Sequence, residues 1–261
     1  MLKYLGFIIL LFSSVLVYGQ LPRDVFPLSR EFKKGGFFVA PQLTYSLGGK
    51  NEGNFNFADS SYQFETNGSG KISFGLEAGW FHSFKRKQFI QLIEGAVAYR
   101  IFKGSAEHDG KLSYPDGEQL FESDNEFDAQ LIVASFRAKN IQPIGKHSFL
   151  SIGAGVNYNY LLSSDLDRSR PYPSADREKS LSSSTLQAHL QIGIGFRLSR
   201  KLLLIPTLES PFLRLDDLNE FKPAFPFFST DFHPLIFSLR FQFLREDPEH
   251  CNAPTYEGPL N

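Results

Sequence analysis

Three acids and five bases carry the first chemical signal, because each lies where polar and apolar residues alternate: Glu77, Glu94 and Glu209, against Arg100, Arg137, Arg197, Arg240 and His189. Ionised groups of both signs on one face of neighbouring strands have two uses. Held away from bulk water they pair and fill space as structure; given an open path they line a narrow polar pore or a ligand site. The near balance of signs favours the first, so this set is expected to be a structural polar network. The six histidines, His82, His108, His147, His189, His233 and His250, come with no HExxH pattern and no paired cysteines, so no metal is expected. His82 stands beside Ser83, but a lipid-acyl hydrolase needs its nucleophile and base together at the lipid-facing outer rim, and this pair lies next to a turn. No catalytic residue and no cofactor are expected.

A second signal is aromatic. Phe55, Phe57, Tyr62 and Phe64 fall in one polar segment and Phe221, Phe225, Phe227 and Phe228 in another. Exposed aromatic clusters are costly unless they pack on each other or on a partner. These eight are therefore candidate partner-binding loop residues, with local packing at the head of extended strands as the alternative. Asn67-Gly68-Ser69 matches a glycosylation acceptor, a short pattern with many chance matches. No basic stripe points to nucleic acid, and lone Cys251 completes no thiol-activating or disulfide motif.

The elements that must position these groups are legible from period two. In LQAHLQIGIGFRLS, Leu186 to Ser199, every even position is apolar and every odd one polar or glycine. A strand this long exceeds the usual soluble length of about 5 or 6 residues and matches the roughly 9 to 11 that cross a bilayer at a tilt. Seven companions share the pattern: FFVAPQLTYS, KISFGLEAGWFH, FIQLIEGAVAYRIF, FDAQLIVASFRAK, HSFLSIGAGVNYNYLL, LLLIPTLESPF and LIFSLRFQFL. In the fourth, Asp128 and Gln130 would fall on the lipid face, so they must lie beyond the membrane or past a bulge. Long polar segments follow strands one, three, five and seven, and short ones follow two, four and six, as in outer-membrane barrels with short periplasmic turns. Reversing the parity would put arginines into lipid at roughly 2 to 4 kcal/mol each near the midplane, which sets which face is inside.

The first residues, MLKYLGFIILLFSSVLVYGQ, read as a signal peptide: Lys3, a short apolar core, then Val17-x-Gly19, with cleavage before Gln20. The domain reading is 1-19 signal peptide, 20-35 periplasmic lead, 36-245 barrel and 246-261 periplasmic tail. The fold expected is all-β, an eight-stranded antiparallel up-and-down transmembrane β-barrel.

The ending VYGQ with Gln20, the entry FKKGGFFVAPQLTYS and the glycine-bearing hairpin from Ser148 to Ser199 resemble the outer-membrane β-barrel proteins of Bacteroidota, including the PorT-like family. The tail after Leu244 departs from porins that end on a terminal aromatic. The resemblance implies a place in the outer membrane of a Gram-negative bacterium and permits a link to type IX secretion; it implies no catalytic residue. The expected function is a non-enzymatic barrel that binds or assembles with partners through long extracellular loops or periplasmic segments. Its expected partners are outer-membrane lipid and other envelope or secretion proteins, not nucleic acid. The alternatives are a narrow pore for small solutes and a lipid-modifying outer-membrane enzyme.

Overall fold

The computed structural model describes residues 33–57, 60–84, 89–144, 148–168, 181–215 and 225–245. The expected signal peptide, most of the expected lead, the tail with Cys251, and Phe221 lie outside these residues. The described residues form ten strands: β1 (Gly35–Gly48), β2 (Lys50–Phe57), β3 (Ser60–Ser83), β4 (Leu92–Tyr114), β5 (Gly117–Pro143), β6 (Ser148–Arg168), β7 (Ser184–Ser199), β8 (Leu202–Arg214), β9 (Phe225–Phe227) and β10 (Thr230–Phe243). All pairings are antiparallel. β1 pairs with β3 on one side and with β10 on the other, so β1, β3, β4, β5, β6, β7, β8 and β10 close an eight-stranded ring. β2 and β9 are additions, on upper β3 and on β10.

The exterior is apolar: Ile72 is 68% exposed and Phe74 67%, while Glu77 and Arg240, on the inner parity, are 0% exposed. Hydrocarbon, not water, is the solvent such a wall is built for. Closure removes the unpaired strand edges that lipid could not satisfy. The molecule is a transmembrane β-barrel. Pro41 fits because its ladder to β3 is continuous, while that to β10 runs from Phe37 to Val39 and resumes in the same register at Gln42.

The strands are longer than the sequence pattern suggested. β3, β4, β5 and β6 run 24, 23, 27 and 21 residues, about twice what a bilayer needs. Much of what reads as the first two long loops is strand: β4 and β5 reverse only at Pro115 and Asp116, and β2 folds back on β3 with Phe55 opposite Tyr62. The cause is that period two continues after the outer face turns polar. Glu107, Asp109, Glu122 and Asp124 take the outward positions while Ala106, His108, Ser123 and Asn125 are buried. The result is a four-stranded β2–β5 projection above the membrane belt.

The difficulty at Asp128 and Gln130 resolves in the same way. β5 keeps one parity throughout, and the register shift falls opposite it, where Leu162 of β6 is the extra residue between Leu161 and Ser163. Both side chains face outward above the apolar belt. Asp128 meets Lys103 at 2.7 Å, and the Tyr99 hydroxyl donates to Gln130 at 2.8 Å.

Candidate functional site

The lumen is filled in three layers. At the lower end Phe38, Phe81, Leu92, Phe149, Leu203, Ile205 and Leu244 form an apolar floor. Above it lies the ionic layer, centred on Glu77. That carboxylate accepts two hydrogen bonds from Arg137, at 2.9 and 2.7 Å, and one each from Arg240 at 2.9 Å, Arg100 at 3.3 Å and Gln42 at 3.0 Å. Glu209 meets Arg100 at 3.1 Å and Arg137 at 3.0 Å, and accepts from Asn157 at 2.8 Å. Glu94 pairs with Lys139 at 2.8 Å and with Arg240. The guanidinium of Arg240 also sits 4.2 Å from the centre of the Phe38 ring, a cation over an aromatic face.

Local sequence makes room for these large groups. Glu77 lies between Ala40 and Ala98 in the register. Arg137 lies opposite Gly155, where an added Cβ would stand 2.9 Å from both the Arg137 and His189 side chains. Large charged residues thus alternate with small ones around the wall, as a lumen only just wide enough for side chains requires.

Seven of the eight expected members are here, all at most 1% exposed: Glu77, Glu94, Arg100, Arg137, His189, Glu209 and Arg240. Arg197 is not. It has the inner parity but lies at the lower rim, half-buried, where its Nε donates to the Ser199 carbonyl at 3.2 Å. Parity gives the face; it does not give the height. Lys139 is a member that charge inspection passed over, although it follows Arg137 by two residues and so shares its face.

Above the ionic layer comes an aromatic cap. Phe127 stacks on Phe227 at 3.8 Å, Phe102 packs on Phe225 at 5.1 Å, and Phe232 closes on Phe127 at 4.7 Å. This corrects the reading of the loop aromatics as a partner surface. Phe225, Phe227, Phe228, Tyr62 and Phe64 are between 0 and 8% exposed, since their strands turn them inward. Phe55 alone of the described side chains stays open, at 38%, and stacks on Phe64; the side chain of Phe57 lies outside the described set. Phe228 holds φ at 53°, a left-handed conformation that is strained for a bulky residue.

A polar chain ties this cap to the projection. Tyr62 Oη is 2.7 Å from His108 Nε2, His108 Nδ1 is 2.7 Å from Thr66 Oγ1, and Thr66 Oγ1 is 2.9 Å from Ser229 Oγ. Thr230 donates to the Gly49 carbonyl at 2.7 Å, and Asn51 donates to that of Ser229. Burial pushes the His108 imidazole below its ordinary pKa, because an imidazolium there would lose its water.

His82 and Ser83 cannot act together, since neighbours on a strand point to opposite faces. Ser83 donates inward to the Lys34 carbonyl at 3.0 Å while His82 packs against Phe84. A different pair does meet: Ser210 Oγ lies 2.9 Å from His233 Nε2, outward-facing at the upper rim. The separation of 23 positions hid it; only the hairpin register brings it together. On the outer face of the projection, a groove of about 760 Å³ is lined by Glu52, Gln63, Glu65, Asp109, Lys111 and Glu122. Among the described residues no group of three or more His, Cys, Asp or Glu is placed to hold a metal ion.

No family model matches the chain, and no curated protein matches it. Solved structures that share similarity with it include the solid-state NMR structure of the outer membrane protein AlkL in lipid bilayers, at 12% identity and TM-score 0.36, covering 92% of this chain and 100% of that one. Another is Ail, the attachment invasion locus protein of Yersinia pestis, in complex with a heparin analogue, at 12% identity and TM-score 0.29, covering 80% and 99%. A third is the outer membrane protease OmpT of Escherichia coli, at 10% identity and TM-score 0.27, covering 83% and 98%. Similarity this low carries no functional argument, and the barrel assignment rests on the closed strand pairing itself.

Proposed function

We propose that this chain is a non-enzymatic outer-membrane β-barrel that works as a binding or assembly component through its β2–β5 projection and its periplasmic segments. The observation that carries this reading is the filled lumen beneath a projection about as tall as the membrane span. An ionic layer between two apolar ones supports a closed lumen over the narrow-pore alternative. What remains for function is the outside of the two ends. Closed barrels with an apolar belt and tall loops on one side are built for bacterial outer membranes. The resemblance to PorT-like proteins makes a secretion-linked envelope assembly the first partner class to look for.

The test is site-specific photo-crosslinking in intact cells from Phe55 and Leu120, the latter 76% exposed on the projection. One shared envelope partner captured from both sites, and not from lipid-facing Phe136, is expected. Identical capture from all three sites, or from none, overturns the reading.

The Ser210 and His233 pair supports a second reading, a lipid-modifying enzyme, since nucleophile and base stand together at a lipid-facing rim. A fluorophosphonate probe decides it. Labelling of the folded barrel that Ser210→Ala and His233→Ala both abolish would establish an activated serine; no labelling removes this reading.

A further inference from the structure

We propose that the lower rim of the barrel carries a binding groove for an anionic phospholipid, between β1, β3 and β4. The proposal rests on the transmembrane reading above. A depression of about 600 Å³ opens there, lined by Gly35, Phe37, Trp80, His82, Ile93 and Arg245, with Phe84 at its mouth. Its walls are outward-facing aromatics: Phe37 is 45% and Trp80 51% exposed. Trp80 lies flat across β4, where an added Cβ on Gly95 would meet its ring at 2.9 Å. Its floor is Gly35, register partner of His82, where an added Cβ would find only the Phe81 carbonyl at 3.3 Å and the His82 ring at 4.0 Å.

The mouth is cationic. The Lys33 amide donates to the Arg245 carbonyl at 2.7 Å and the Ser83 amide to that of Lys34 at 2.6 Å, so Lys33, Lys34 and Arg245, all exposed, gather where the first and last wall strands reach the rim. An apolar slot at the depth of an aromatic belt, with positive charge at its aqueous end, matches one occupant: a glycerophospholipid with an acyl chain in the slot and its phosphate at the cations. Each lysine or arginine near a membrane surface favours an anionic over a neutral lipid by about fivefold.

Trp80 is the single tryptophan of the chain and so reports the groove directly. Purified full-length protein, refolded into vesicles of phosphatidylcholine with a minor fraction of dibrominated phosphatidylglycerol or dibrominated phosphatidylcholine, is compared by quenching of its fluorescence. The anionic lipid is expected to quench at about one fifth, or less, of the mole fraction the neutral lipid requires, one fifth being the effect of a single cation. Lys34→Glu with Arg245→Glu is expected to bring the two lipids to parity, and Gly35→Leu, which fills the slot, to lower quenching by both. A Trp80→Phe, Phe136→Trp protein moves the probe two strands along the register, through Gly95, and is expected to show no preference. Equal quenching in the parent protein, or the same preference at position 136, overturns the groove with the membrane reading intact. Failure to insert, seen as no heat-modifiable band and no flotation with vesicles, overturns both.

Discussion

Glu77 is the centre of the ionic layer, with three guanidiniums and one amide converging on it. Glu77→Gln would keep the volume and leave those cations without their central counter-charge. Breaking one partner of a buried ionic pair costs roughly 3 to 5 kcal/mol, whereas Arg197→Ala at the rim should stay within about 0.5 kcal/mol. Urea titration of the folded, heat-modifiable form should separate the two variants by that margin. His108 makes a second residue-scale prediction. Its pKa is lowered from 6.5 in the fold, so the unfolded chain binds the extra proton first. Its contribution to stability is complete above pH 6.5 and is lost as pH falls below it. Protection factors at Tyr62 to Thr66, with the base-catalysed intrinsic rate divided out, should therefore fall between pH 7.5 and 5.5, and His108→Phe should flatten that dependence.

At the scale of the strand, everything turns on parity. Val97, 59% exposed, and Ala98, 2% exposed, are chain neighbours with opposite solvents. Val97→Arg should cost roughly 2 to 4 kcal/mol in a refolding titration into lipid, and an arginine at exposed Glu107 on the same strand should cost little. Alternation in the sequence revealed all eight wall strands, the inward face of seven ionic residues and the awkward placement of Asp128. It did not reveal where strands end. A strand leaves the membrane when its outer residues become polar, but it stops only when its pairing fails, and Glu107 or Glu122 on the outer face says nothing against pairing. The same blindness hid the fate of Tyr62, Phe64 and Phe227. In a segment read as loop their direction is undefined, and only their place on a ladder turns them inward. Ser210 and His233 lay beyond reach for a related reason, because their meeting depends on the β8 to β10 register and not on spacing.

For the whole molecule, the stack of apolar floor, ionic layer and aromatic cap predicts electrical silence. Purified barrel in planar bilayers should show no steady conductance at moderate voltage. Phe227→Ala with Phe232→Ala should thin the cap without opening a path, since the ionic layer and floor still close the lumen. Steps of stable, voltage-independent conductance from the parent protein would contradict the layered lumen.

The pairing of β1 with β10 has a further meaning. Phe37 stacks on Phe243 at 4.8 Å across that seam, so the earliest wall strand waits for the last one. Without β10 the wall is an open sheet with two unpaired margins, and no partial product is a smaller barrel. Birth of this protein is therefore all or nothing: its riskiest moment comes just before completion, and a chain cut short by even one strand should be found with chaperones or proteases and not in the membrane.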